Sequence, residues 1–118
     1  MKVYRGFATK QNKYGGKIVT VQELMKDGVG PEHQLEACLA IANHSPDGFN
    51  WGYNGSGATQ LALALLVSML PQGKVPTPQQ INKCREDVVA KWPMQADWMV
   101  TEDSLKKFLS TPSYARPA

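Results

Sequence analysis

The chain has 118 residues, with 13 Lys+Arg against 10 Asp+Glu for a net charge of +3; 42% are hydrophobic and 19% charged. That length fits one domain with little room for a second, and the apolar fraction excludes wholesale disorder. No Gly-X-Y or heptad period is present, the longest apolar stretch (Leu61 to Leu70) is about half of what a membrane span needs, and MKVYRGF lacks the apolar centre of a signal peptide. The expectation is a soluble cytoplasmic protein.

Val3-Tyr4-Arg5-Gly6-Phe7 is short and rich in strand formers, and Lys17-Ile18-Val19-Thr20-Val21 follows after a polar stretch ending in Tyr14-Gly15-Gly16. Two such runs around a glycine-containing turn predict an antiparallel hairpin with a long loop. Apolar residues on both faces of the second run place it inside a sheet. From Glu23 to Gly30 the chain is predicted to turn, with Asp27-Gly28 and Gly30-Pro31 as punctuation.

The segment 35–42, LEACLAIA, ends at the turn signal Asn43-His44-Ser45-Pro46-Asp47-Gly48. It is too short for periodicity to separate helix from strand, and a strand is favoured. Phe49-Asn50-Trp51-Gly52-Tyr53 alternates at period two, which predicts a strand with three rings on one side. Asn54-Gly55-Ser56-Gly57 then leads into Ala58–Leu70, a helix by composition, stopped by Pro71. Apolar residues cover nearly every face of that helix, so it is expected to be buried on most sides. A chain of this size can hardly wrap a helix alone, which makes a homodimer an expectation.

In the last third, Thr77-Pro78-Gln79-Gln80 supplies an N-cap, a proline at the first helical position and a capping-box glutamine. Ile81, Cys84, Val88 and Trp92 line one face of the helix, which Pro93 ends. Thr101 caps a further helix, Val100 is placed to staple onto Leu105, and Leu105, Phe108 and Leu109 are expected to pack inward. Residues 111–118 read as a loose tail on a single domain spanning 1–110. The fold class predicted is α+β: an N-terminal antiparallel sheet packed on a buried central helix, with two or three C-terminal helices.

Cys38 and Cys84 lie among apolar neighbours and read as free, buried thiols. No CxxC or HExxH motif occurs, so no metal or cofactor is expected. The segment with most chemical content is Ser45–Leu65, where Gly48, Gly52, Gly55 and Gly57 fall just before the helix. Unpaired amides at a helix start, together with the positive end of its dipole, suit an anion. Ser56 or Thr59 adds a hydroxyl, while Trp51 and Tyr53 offer flat surfaces to a base. The candidate ligand-binding set is therefore Trp51, Tyr53, Asn54, Gly55, Ser56, Gly57 and Thr59, with Arg5 as a steering charge. The alternative is that the glycines serve a tight turn and the rings serve the core.

The run HSPDGFNWGYNGSGATQLALALL, residues 44–66, resembles the signature HSPxGFxWGYxGSGPxxLALALL of an uncharacterised family of small bacterial and phage proteins. Val3-Tyr4-Arg5-Gly6 matches its N-terminal VYRG-like strand, and Ala58 stands where the family has proline. The resemblance implies a phage or mobile-element context in a bacterial cell. By analogy it implies an antagonist of host defence that sequesters an anionic signal such as a nucleotide, or that inhibits a host defence nuclease by docking on it.

Catalysis is not expected. His44, Ser45 and Asp47 are merely adjacent, no oxyanion elbow is visible, and the Arg5-Gly6 pair lacks the remaining motifs of ADP-ribosyltransferases. Lys2, Arg5, Lys10, Lys13 and Lys17 precede residue 18 without an acid among them. On a hairpin they would form a positive stripe, leaving nucleic-acid binding as a further alternative.

Overall fold

Alternating apolar positions in the first 25 residues build the two central strands of one antiparallel sheet. A computed structural model describes residues 1–109. Strand β1 (Lys2–Gln11) pairs with β2 (Lys17–Met25), with Tyr4 opposite Val21 and Gly6 opposite Val19. β3 (Gly28–Gln34) adds to β2 and β4 (Trp98–Thr101) adds to the far side of β1, giving the order β3-β2-β1-β4. The predicted hairpin is thus present, with β2 in the sheet interior. The expected turn over Glu23–Gly30 is shorter than predicted, because Gly28–Gln34 continues as an edge strand. An edge tolerates Pro31, whose missing N–H need not face a neighbour.

Helix α1 (Ser56–Met69) lies across one face of this sheet, and Gly57 through Leu66 are all buried. Tyr4 reaches it, its hydroxyl 2.5 Å from Ser68 Oγ, so even-numbered residues of β1 face α1 and odd-numbered ones face away. Val19, Val21, Leu61 and Leu65 are core residues on this side. The chain wraps α1 by itself: sheet on one flank, α2 (Pro78–Asp87) with the short 3-10 turn Val89–Lys91 on another, and residues 35–45 across the rest. Burial of α1 therefore needs no second copy.

Three expectations are corrected here. The segment 35–42 is neither strand nor helix but an irregular cover. It is pinned by Gln60, a fully buried residue whose Nε2 donates to the carbonyls of Ala37 and Ala42 and whose Oε1 accepts from the amides of His44 and Ser45. Residues 49–53 are not a strand either. Only Phe49 forms a bridge, to Lys17, and Gly52, at φ +89 and close against Met94, breaks the period. The three rings consequently do not share a face: Phe49 and Trp51 are buried, whereas Tyr53 is 41% exposed. Cys38 is the third correction, since it is half-exposed at a positive φ of 61 and not a core thiol.

The two later helices start where the sequence predicts, whereas α1 begins at Ser56, two residues before the expected Ala58. Thr77 Oγ1 accepts from the Gln80 amide at 3.1 Å, and Gln80 Oε1 accepts from the Thr77 amide at 2.9 Å, completing the capping box. Ile81 and Cys84 are buried, while Val88 and Trp92 are half-buried because α2 ends at Asp87 and the chain tightens into the 3-10 turn. Helix α3 (Glu102–Leu109) is capped by Thr101, whose Oγ1 accepts from the Ser104 amide at 3.2 Å. Leu105 is buried. The tail expected at 111–118 lies outside the described residues, as do the side chains of Phe108 and Leu109, which were expected to pack inward. Both cysteines are free, and the described residues contain no helix long and apolar enough to cross a membrane.

Candidate functional site

The start of α1 is made by a chain that approaches it too closely for side chains. Tyr53 folds its ring over Gly55, where any Cβ would land on ring carbons, and Asn50 presses on Gly57, where a Cβ would sit 2.8 Å from Asn50 Cβ. Asn50 Nδ2 also donates to the Tyr53 hydroxyl at 3.3 Å, fixing the ring. Both glycines are thus crowded by neighbouring side chains, which leave no room for a Cβ. The N-cap position is Gly55, which has no side chain with which to cap, and no acidic residue occupies the first turn. The first main-chain bond of the helix runs from the Thr59 amide to Gly55 O, so the amides of residues 56–58 fall among those a helix leaves without an internal partner. Ser56 is exposed, whereas Gly57 and Ala58 are buried.

A residue absent from the predicted set converges on this point. Arg85, on α2, donates through Nε to Asn54 Oδ1 at 3.3 Å and through Nη1 to Thr59 Oγ1 at 3.1 Å. The same Nη1 lies 3.4 Å from Asn82 Oδ1, and Nη2 contacts Glu86 at 3.3 Å. Thr59 is meanwhile held by its own hydroxyl, which donates to Gly55 O at 2.9 Å. A guanidinium therefore stands beside the positive end of a helix dipole. This pairing is unfavourable by itself and is offset here by a surface carboxylate, Glu86, of small electrostatic worth. In one dimension nothing links positions 59 and 85. The only available signal was the helical spacing that puts Asn82 and Arg85 one turn apart on a face next to Cys84.

The structure brings together Tyr53, Asn54, Gly55, Ser56, Gly57 and Thr59 and separates Trp51 and Arg5 from them. Trp51 is fully buried, with its Nε1 donating to Pro93 O and Ala96 O and its ring edge-on to Trp98 at 5.5 Å. It is a core residue with no face for a base. Arg5 points to the opposite side of the sheet, 3.0 Å from Glu32 Oε2 and 3.1 Å from Gln22 Oε1. Glu32 is held below the usual carboxylate range by the Thr20 hydroxyl and by Arg5, so this cation is spoken for.

Lys2 Nζ donates to Ser68 O, Lys10 lies over Phe7, Lys13 over Tyr14, and Lys17 over Trp51.

Among the described residues, two grooves lie against α1. The larger, about 410 Å3, lies towards its C-terminal end and mixes Glu23 and Glu36 with Lys2 and His33. The smaller, about 350 Å3, reaches Thr59.

The described residues define an α+β protein with a four-stranded antiparallel sheet and three helices, with Arg85 beside the uncapped start of its central helix. Over residues 8–111 the chain matches the model of a family of unknown function, DUF6166, and it belongs to that family. No curated protein and no solved structure is significantly similar to it.

Proposed function

We propose that this protein is a non-catalytic binding protein that captures the anionic group of a small ligand, such as the phosphate of a nucleotide, at the head of α1. The supporting observation is the position of Arg85, 3.1 Å from Thr59 beside an N-terminus that no side chain caps. Positive charge gathered there is relieved by an incoming anion. A role in a phage or mobile element, countering host defence by taking up a nucleotide signal, is part of the same proposal and rests on the resemblance of residues 44–66. Calorimetric titration with pyrophosphate and with mono-, di- and cyclic nucleotides tests it. Binding tighter than about 1 mM, weakened at least tenfold in Arg85→Gln, is expected. Absence of any binding in this range overturns it.

A second function, docking on a host defence nuclease, is favoured by Tyr53, which is 41% exposed with its ring over Gly55 and its hydroxyl accepting from Asn50 Nδ2. Pre-ordered tyrosines at a surface are typical interface anchors. A stoichiometric host protein that co-purifies with the wild type and is lost from Tyr53→Ala would establish this function in place of the first.

A further inference from the structure

The smaller groove is walled mainly by aliphatic residues, among them Ile41, Leu63, Val75 and Ile81, with Pro76 and Pro78. The lining also includes the imidazole residue His44, and at one end it changes character to Thr59 and Asn82. Both side-chain oxygens accept from the same nitrogen of Arg85, at 3.1 and 3.4 Å, so the guanidinium stands at the rim of that end. Among the rim residues, Ile41 is 42% and Val75 56% exposed. A volume of about 350 Å3 falls within the range of small-molecule sites.

We infer that the ligand is an amphiphilic anion: an unbranched or lightly branched aliphatic body in the groove, ending in a carboxylate or phosphate at the Arg85 rim. The head-group half of this assignment rests on the anion site proposed above; the body half rests on the groove alone. Buried methylenes carry the affinity and the charge sets the orientation.

The test is an NMR shift titration of the full chain with acetate, butyrate, hexanoate and octanoate, alongside 1-octanol and pyrophosphate. Affinity is expected to rise about fourfold per added methylene, with shifts centred on Ala42, Leu63 and Ile81. Octanol should bind roughly tenfold more weakly than octanoate, the contribution of a charge-assisted hydrogen bond. Val75→Asp, a surface change, should abolish octanoate binding while leaving pyrophosphate unaffected. A flat chain-length series, octanol equal to octanoate, or shifts away from the groove overturns the inference. If pyrophosphate still moves residues 56–59 in that case, the anion site survives and the aliphatic ligand does not. If neither ligand binds, both fall.

Discussion

Gln60 Oε1 accepts the main-chain N–H of His44 at 2.7 Å, and through this bond a helix interior position governs a surface segment sixteen residues earlier in the chain. The same side chain bonds Ser45, Ala37 and Ala42. All four of its hydrogen-bonding capacities are used, which accounts for a glutamine with no solvent exposure in the middle of an apolar helix.

Replacing Gln60 with Leu should destabilise the protein by about 3 kcal/mol, because main-chain groups of the 37–45 cover lose partners that water only partly replaces. Urea unfolding gives the loss, and the amides of His44 and Ser45 should exchange with deuterium far sooner than in the wild type. Unchanged exchange at both would mean the cover is held by something else.

Gly6 lies directly beneath the indole of Trp98, where any Cβ would overlap the ring. Trp98 in turn stacks on Trp92 at 4.0 Å and meets Trp51 edge-on. Gly6→Ala should displace Trp98 and cost about 2 kcal/mol or more, in the range of overpacked cores. Near-ultraviolet circular dichroism would report it as a loss of tryptophan ellipticity at unchanged helix content.

Two buried groups set an alkaline limit. Burial pushes the Cys84 thiol up to about 12, helped by Asp87. Burial likewise pushes the Tyr4 hydroxyl up to about 12, against the opposing hydrogen bond with Ser68. In each case the folded chain keeps a proton that the unfolded chain releases, so stability is full below the ordinary values of 9 and 10 and falls as pH rises towards 12. The midpoint of urea unfolding should be level from pH 7 to about 9 and then decline. Tyr4→Phe should remove the part of the decline that sets in above pH 10.

At the head of α1, Ser56→Asp places a carboxylate in a first turn that contains none. The helix should gain about 0.3–1 kcal/mol from the dipole, read as a rise in melting temperature. The same charge should exclude pyrophosphate. A variant both more stable and unable to bind is the signature of an anion site, whereas greater stability with unchanged binding would place the ligand elsewhere.

Thr77→Ala removes half of a reciprocal cap and should cost about 1 kcal/mol in chemical unfolding, with Ile81 and Cys84 still packed.

The elements legible in the sequence were those specified by neighbouring residues: the β1–β2 alternation, the capping box at Thr77, the threonine cap at 101, and the all-round apolar helix. Those that were not legible depend on distant partners. β3 contains Gly28, Gly30 and Pro31, a local turn signature overridden by pairing with Thr20–Met25. β4 has only four residues and exists because Val3–Gly6 recruits it. The irregular course of 35–42 follows from Gln60, which nothing in that segment announces. For the site, the loop could be read but its cation could not: Arg5 was the arginine suggested by position, and Arg85 is the one folding delivers. Trp51 and Tyr53 looked equivalent at period two until Gly52 turned one inward and the other out.

β1 sits between β2, its immediate successor, and β4, whose Thr101 pairs with Val3, while the Lys2 amide donates to Glu102 at 2.9 Å. During synthesis the first strand must therefore wait, with one edge bare, until residue 101 has emerged from the ribosome. Over that interval the hairpin is open to addition by any stray strand. That edge of β1 thus stays uncovered until Trp98–Thr101 has been made, and a truncation ahead of Trp98 would leave it so.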